Sequence, residues 1–396
     1  MMTKTLDTLF KIDSVGRLRE WTMHIDDACF YAVKGLCDGK KTQDKPRCCV
    51  AKNVGRSNET TPQTQAESEA LAKWQKKLDS GYAKTPEDAK VKKFYEPMLA
   101  LKYDDRKKEV SYPLYSQPKL DGIRCIVRDE DGELIARSRK GKIIDAVPHI
   151  LRRLKPFFEL YPNTILDGEL YNHDLRENFN KITSLVRKQK PVKSAKMTDN
   201  VFAKKQKEFA ERLEEAESTI QYWIYDAPQI NNLQESAKFF IRYEQLLASL
   251  PQNENSCLVG VPTAEVLNEA QLNSVYEGYL NDGYEGQMVR TNSPYEGNKR
   301  SKTLLKRKEF QDAEYKVIDI DEGNGNRTGT CKHVVCYCEK TGRTFHSNVK
   351  GSFEYLKEIL DNRKDYIGKE ATIRYFQLTP DGIPRFPFAV AFRDYE

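Results

Sequence analysis

Three segments of this chain each set a charged side chain next to a glycine at the end of a short apolar run. They are Lys119-Leu120-Asp121-Gly122-Ile123-Arg124, Leu166-Asp167-Gly168-Glu169-Leu170 and Tyr284-Glu285-Gly286-Gln287-Met288-Val289-Arg290. Strand ends are good platforms for chemistry, so a fold carrying all three needs a sheet. The runs Ile123 to Val127, Thr164 to Leu170, Ile220 to Tyr225 and Gly286 to Arg290 read as strands, and helical stretches lie between them. The interval from Tyr112 to about Lys308 is therefore expected to form a mixed α/β body.

At 396 residues the chain has room for two or three domains. Short alternating runs from Leu6 to Val54, broken at Asp13-Ser14-Val15-Gly16, Asp26-Asp27 and Asp38-Gly39, predict a small antiparallel meander. Thr61 is placed to cap a helix starting at Pro62, with Ala66, Ala70, Trp74 and Leu78 in one stripe and Gly81 closing it. The Lys- and Glu-rich residues 83–96, with a Thr85-Pro86 break, read as an exposed connection. From Tyr315 onward, short strands between glycine-rich turns and one helix around Phe353 to Asn362 suit a five-stranded barrel. The expected division is 1–83, 92–309 and 312–396, with the joint of the last domain near Glu309 to Asp312.

Composition excludes several classes. Hydrophobic residues at 39% and charged residues at 31% rule out global disorder. No apolar run reaches the roughly 18–20 residues of a membrane helix, and Met1-Met2-Thr3-Lys4 does not begin an apolar leader. A soluble intracellular protein is expected, in a bacterial or phage-infected cytoplasm or, for a virus of eukaryotes, in the nucleus. Nine scattered cysteines without a Cys-x-x-Cys pair speak against a zinc ribbon or a disulfide framework. The net charge of +6 leaves room for local basic tracks. One runs from Leu185 to Lys207, with eight Lys or Arg against one Asp. It reads either as a track along DNA phosphates or as a solvated insertion.

The chemistry that these residue types allow is specific. An amine such as Lys119 becomes a nucleophile toward carbonyl or phosphoryl centres once nearby cations or burial lower its pKa; the bland reading of its segment is a plain hairpin. Glu169 and Glu285 can hold ribose hydroxyls or Mg²⁺. Trp223 and Tyr225 share a strand face, where each either stacks on a flat base or packs in the core. Lys306 and Lys308, after apolar Leu304 and Leu305, can neutralise a triphosphate or act on Lys119.

In order and spacing these segments resemble the covalent nucleotidyltransferases, and specifically the small viral and phage ATP-dependent DNA ligases. The resemblance covers about Tyr95 to Glu396. It implies a central nucleotidyltransferase domain and a C-terminal OB-fold β-barrel, in a multidomain α+β chain whose small antiparallel α+β N-terminal module is loosely similar to WGR modules. It implies that Lys119 carries AMP, that Gln117 reads the adenine amino group, and that Glu169, Tyr225, Lys306 and Lys308 complete the nucleotide site. Glu285 and Glu169 would hold the metal. Asp121, Arg124 and Arg139 (in Ser138-Arg139-Lys140-Gly141) would meet the nick. Arg385-Phe386-Pro387 with Arg393-Asp394 resembles the terminal motif, whose Arg385 and Arg393 would orient pyrophosphate, and Asp321-Glu322-Gly323-Asn324-Gly325 through Gly329 resembles the barrel's glycine loop. One departure stands out: Phe388 to Phe392 is wholly apolar where the family usually carries another basic residue. ATP and Mg²⁺ are the implied cofactors and nicked duplex DNA the implied partner, with a monomer sufficient and no membrane involved. Alternatives on the same scaffold are an RNA ligase or a GTP-dependent mRNA capping enzyme; an alternative of another class is a non-catalytic nick-binding protein.

Overall fold

A computed structural model describes residues 4–13, 15–56, 58–91, 94–193, 197–251, 257–308, 310–324 and 327–393. The chain divides into two compact units, residues 94–309 on one hand and residues 1–93 with 310–396 on the other. Met1, Met2, Thr3, Ser14, Glu309, Gly325, Asp394 and Glu396, named above, lie outside the described residues, as do residues 194–196 of the basic stretch. Among the described residues no helix is long and apolar enough to cross a membrane.

The first 90 residues build a six-stranded sheet around a long hairpin, Leu18–Asp26 against Cys29–Leu36. Its two-residue turn needs a left-handed backbone, which Asp27 supplies at φ 52°. Strict alternation turns Trp21, Met23 and Ile25 to one face with Phe30 and Ala32. Helix Pro62–Leu78 closes over them through Ala66 and Ala70; the Thr61 hydroxyl caps it by accepting from Thr64 N at 3.2 Å. The expected exposed connection contains a short helix, Pro86–Lys90, because Thr85 caps it in the same way. The cysteine expectation needs correcting here. Cys29 and Cys48 form a disulfide, since strand register sets them directly opposite each other, a pairing that sequence spacing does not display.

The unit 94–309 contains two five-stranded sheets. The first runs Glu133–Ser138, Ile123–Glu130, Ile165–Tyr171, Gln221–Gln229, Leu258–Gly260; the second runs Ala264–Val266, Leu114–Lys119, Gly286–Arg290, Arg300–Arg307, Leu99–Lys102. Among the described residues of this unit, only the pairs Gln221–Gln229 with Leu258–Gly260 and Arg300–Arg307 with Leu99–Lys102 are parallel, so the body is α+β with mostly antiparallel ladders. Its largest core joins Ile150, Leu154 and Phe157 of helix Pro148–Leu160 to Leu166, Leu170, Tyr222 and Ile224 of the first sheet. The chain passes from the second sheet to the first across only Leu120, Asp121 and Gly122. That crossing places Lys119 and Arg124 at adjoining ends of the two sheets.

Residues 311–393 close a barrel in the order Gln311–Glu322, Cys331–Cys338, Arg343–Val349, Phe388–Arg393, Glu370–Tyr375, and closure leaves no free sheet edge. Val317, Val334, Cys336, Phe345, Ile373 and Ala389 fill its interior. Helix Phe353–Asp361, capped by Ser352, packs Leu356 and Ile359 against them.

Candidate active site

Lys119 ends the strand Leu114–Lys119 and lies opposite Gly286, and its carbonyl accepts from Glu285 N at 3.0 Å. That register carries Glu285 to the lysine: Nζ of Lys119 donates to Oε2 of Glu285, and Nζ of Lys308 donates to Oε1 at 3.2 Å. The close approach depends on Gly286. A Cβ there would sit 2.3 Å from Arg307 O and 3.0 Å from Lys308 Cα. Burial pushes the Glu285 carboxyl up, but the charges of Lys119 and Lys308 outweigh it and hold the group below its ordinary value. Lys306 and Lys308 are both pulled below the usual lysine range, chiefly by burial; mutual repulsion with Lys119 adds to this, and Glu285 opposes it.

Glu169 belongs to strand Ile165–Tyr171 and faces the same cluster across the seam. Gly122 allows it to do so. A Cβ on Gly122 would lie 2.4 Å from Leu170 O and 2.8 Å from Glu169 Cγ. Burial raises the Glu169 carboxyl to about 8, with Lys119 and Arg124 pulling the other way and Glu285 and Asp167 adding to the rise. Asp121, also partly buried, acts electrostatically on Lys308. With Glu169 protonated, three lysines face two carboxylates, Glu285 and Asp121. Such a recess has excess positive charge for a polyphosphate and a carboxyl that ionises when a cation arrives.

Beneath this cluster lies an ionic layer. Arg124 forks onto Asp167 at 2.9 and 2.6 Å, and the Tyr295 hydroxyl donates to the same carboxylate at 2.6 Å. Asp226, fully buried, accepts two bonds of 3.0 Å from Arg242 and one of 2.8 Å from Arg290. Tyr225 lies between the halves, its ring centroid 5.6 Å from the guanidinium carbons of both Arg124 and Arg290. The Gln117 carboxamide donates to Tyr225 O at 3.0 Å and Thr263 Oγ1 at 2.9 Å, and accepts from Arg290 Nε at 2.8 Å.

The structure thus gathers Lys119, Asp121, Glu169, Glu285, Lys306 and Lys308 into one cluster, with Gln117, Tyr225 and Arg124 in contact with one another beside it. Arg124 was expected at a nick; its guanidinium is instead turned inward onto Asp167. Arg139 lies exposed, just beyond strand Glu133–Ser138. Arg385 and Arg393 belong to the barrel, Arg385 against the rings of Phe376 and Phe386 and Arg393 donating to Thr372 Oγ1 at 3.0 Å. Trp223 packs edge-on against Tyr171 at 5.5 Å, in agreement with the core reading of this residue. Of the basic stretch, Lys204, Lys205 and Lys207 project from the exposed side of helix Asp199–Thr219.

Asp167, Asp226, Arg242, Arg290 and Tyr295 were not picked out from sequence. For Asp167 and Asp226 a signal exists, an acid inside an apolar strand, because burying such a charge costs so much that a partner must be supplied. Arg242 and Tyr295 carry no such mark, since their partners lie 16 and 128 residues away.

Residues 97–308 match the family model described as the ATP dependent DNA ligase domain. Across 385 residues the chain is 26% identical to the DNA ligase of African swine fever virus (isolate Tick/Malawi/Lil 20-1/1983), covering 92% of this chain and 83% of that protein. Among solved structures, a Lig E DNA ligase superposes with a TM-score of 0.56 at 22% identity, over 76% of this chain and all of the other. The structure described as Pmar-Lig_PreS3 superposes with a TM-score of 0.60 at 20% identity, over 85% of this chain and 74% of that one. At such identities these two likenesses speak for the fold.

Proposed function

The chain belongs to the ATP-dependent DNA ligase family, and from that premise we propose that it seals 5′-phosphate/3′-hydroxyl nicks in duplex DNA through an AMP carried on Lys119. As a polynucleotide ligase it uses ATP. In the first step Lys119 Nζ attacks the α-phosphorus, a P–N bond forms and pyrophosphate leaves. In the second, an oxygen of the nick 5′-phosphate attacks the AMP phosphorus and the P–N bond breaks. In the third, the 3′-hydroxyl attacks the activated 5′-phosphate, closing the strand and releasing AMP.

The observation that carries this reading is the pairing of Lys119 with Glu285 beside Lys306 and Lys308. An amine held by a buried carboxylate among further cations has a defined position and a counter-charge for the phosphates. Behind it, Tyr225 would offer its ring to the adenine, and Gln117 retains one carbonyl lone pair for the adenine amino group.

Mg²⁺ fits this donor set. The Glu169 side chain is half-buried and makes no hydrogen bond or ion pair among the described residues, which leaves its carboxyl open to a cation or a ribose hydroxyl. Glu169 and Glu285 would hold the ion, which when bound neutralises phosphate charge. The chain's own lysines do the positioning.

We read the closed barrel as an OB-fold in which Arg385 and Arg393 orient pyrophosphate, and the first module as a WGR-like element in contact with DNA. Asp121 and Arg139 would meet the nick as one polypeptide encircles it, with Arg124 holding the floor of the site through Asp167. Incubation with labelled ATP and, separately, labelled GTP tests the nucleotide; nicked duplexes carrying RNA on either side of the break test the polynucleotide. Label from ATP alone and sealing of all-DNA nicks support the proposal, whereas transfer from GTP or a strict need for RNA would replace it with a capping or RNA-ligating activity. A protein that binds nicks and takes no label would be a non-catalytic binder.

A further inference from the structure

Within the barrel, three side chains of metal-binding type meet on its outer face. Asp321 comes from strand Gln311–Glu322, His333 from Cys331–Cys338 and His346 from Arg343–Val349, three consecutive strands joined by backbone hydrogen bonds. Register sets Asp321 directly across from His333, and sets His346 across from Val335, two residues along the same face. The intervening Val334, Phe345 and Ser347 are buried in the opposite direction, so strand alternation fixes the three ligand-type residues outward together.

Their spacing suits a small cation with nitrogen and oxygen ligands. Nδ1 of His346 lies 2.8 Å from Oδ2 of Asp321, Nδ1 of His333 lies 3.7 Å from that same oxygen, and one ligand atom from each of the three residues falls within 4.8 Å of the others. Zn²⁺ with bonds of about 2.0–2.2 Å in tetrahedral geometry needs ligand atoms roughly 3.4 Å apart. Two of the separations bracket that value and the third lies within 4.8 Å, so side-chain rotations on a fixed backbone bring the three atoms to it. Two imidazoles with one carboxylate favour Zn²⁺ over Mg²⁺ or Ca²⁺, which prefer oxygen.

We propose that the barrel binds one Zn²⁺ through Asp321, His333 and His346, bridging three adjacent strands and leaving the fourth position to water. Nothing in the nick-sealing chemistry uses these residues, so the site is a separate one on the same chain.

The test uses the full, untagged chain after chelator treatment, without ATP or DNA, titrated with ZnCl₂ by calorimetry and with Co²⁺ by absorption. One ion per chain, visible bands of four-coordinate cobalt and no thiolate charge-transfer band are expected. Asp321→Asn and His346→Ala should each weaken Zn²⁺ binding by at least about tenfold, and His333→Ala/His346→Ala should abolish it. His346 is 59% exposed, so these variants are expected to keep the wild-type circular dichroism, which is recorded alongside. Absence of Zn²⁺ heat, a thiolate band, or binding that persists in the double variant would overturn the proposal, the last by locating the ion at Glu169 and Glu285 or at cysteine.

Discussion

Glu169 has a titration whose sign and size follow from its surroundings. Burial raises its carboxyl from 4.5 to about 8, against the pull of Lys119 and Arg124. An acid with a raised pKa binds more protons folded than unfolded. Its contribution to stability is complete below about pH 4.5 and is lost as pH climbs through about 8. A rise of about 3.5 pH units sets a ceiling near 5 kcal/mol at about 1.4 kcal/mol per unit. Because the side chain keeps some solvent access, we expect about 2 kcal/mol in practice. Urea midpoints of wild type and Glu169→Gln, recorded from pH 5 to pH 9 without nucleotide or metal, isolate this term, because the lysines of the recess are common to both. Wild type should lose about 2 kcal/mol relative to the variant over that range. The same carboxyl is about nine-tenths protonated at pH 7, so Mg·ATP binding should expel close to one proton from wild type and correspondingly less from Glu169→Gln, measured by calorimetry in buffers of different ionisation heat. Parallel pH profiles together with equal proton release would refute the description of this carboxyl as half-buried and unpartnered.

Gly122→Ala puts a methyl group 2.4 Å from a backbone oxygen, so it should cost about 1–3 kcal/mol in a denaturation midpoint and slow label transfer; an unchanged midpoint would show that the crossing has slack. Asp226→Asn leaves Arg242 and Arg290, both at most 3% exposed, without their counter-charge, and should destabilise the chain by about 3–5 kcal/mol in urea unfolding. Lys308→Met removes one of the two cations on Glu285 and should slow adenylate formation by about 10²-fold, while its thermal midpoint moves little; equal rates in a single-turnover assay would remove Lys308 from the phosphate site.

The sequence displays those parts of the molecule whose causes are local. Alternation in Leu18–Asp26 and Cys29–Leu36, the Thr61-Pro62 helix start and the Ser352 cap each depend on residues a few positions apart, and the expected elements fall where these signals lie. Lys119, Glu169 and Glu285 stand out for a similar reason, as charges in short glycine-containing apolar segments, although Glu169 lies inside its strand, and Gly122 and Gly286 clear space for close backbone approaches. What the sequence hides is set by register. Nothing along the chain pairs Cys29 with Cys48, Tyr295 with Asp167 or Asp321 with His333; sheets bring these together over separations that leave no trace in periodicity. The inward turn of Arg124 is hidden likewise, because its segment reveals a charge at a strand mouth and not the buried aspartate, 43 residues on, that captures it.

The central claim concerns one nitrogen atom. Mass spectrometry of peptides from enzyme incubated with ATP and Mg²⁺, run beside Lys119→Ala, should locate one AMP on Lys119 that is removed by pyrophosphate or by nicked DNA and is absent from the variant. An adduct on another residue, or an undiminished adduct in Lys119→Ala, would contradict the account.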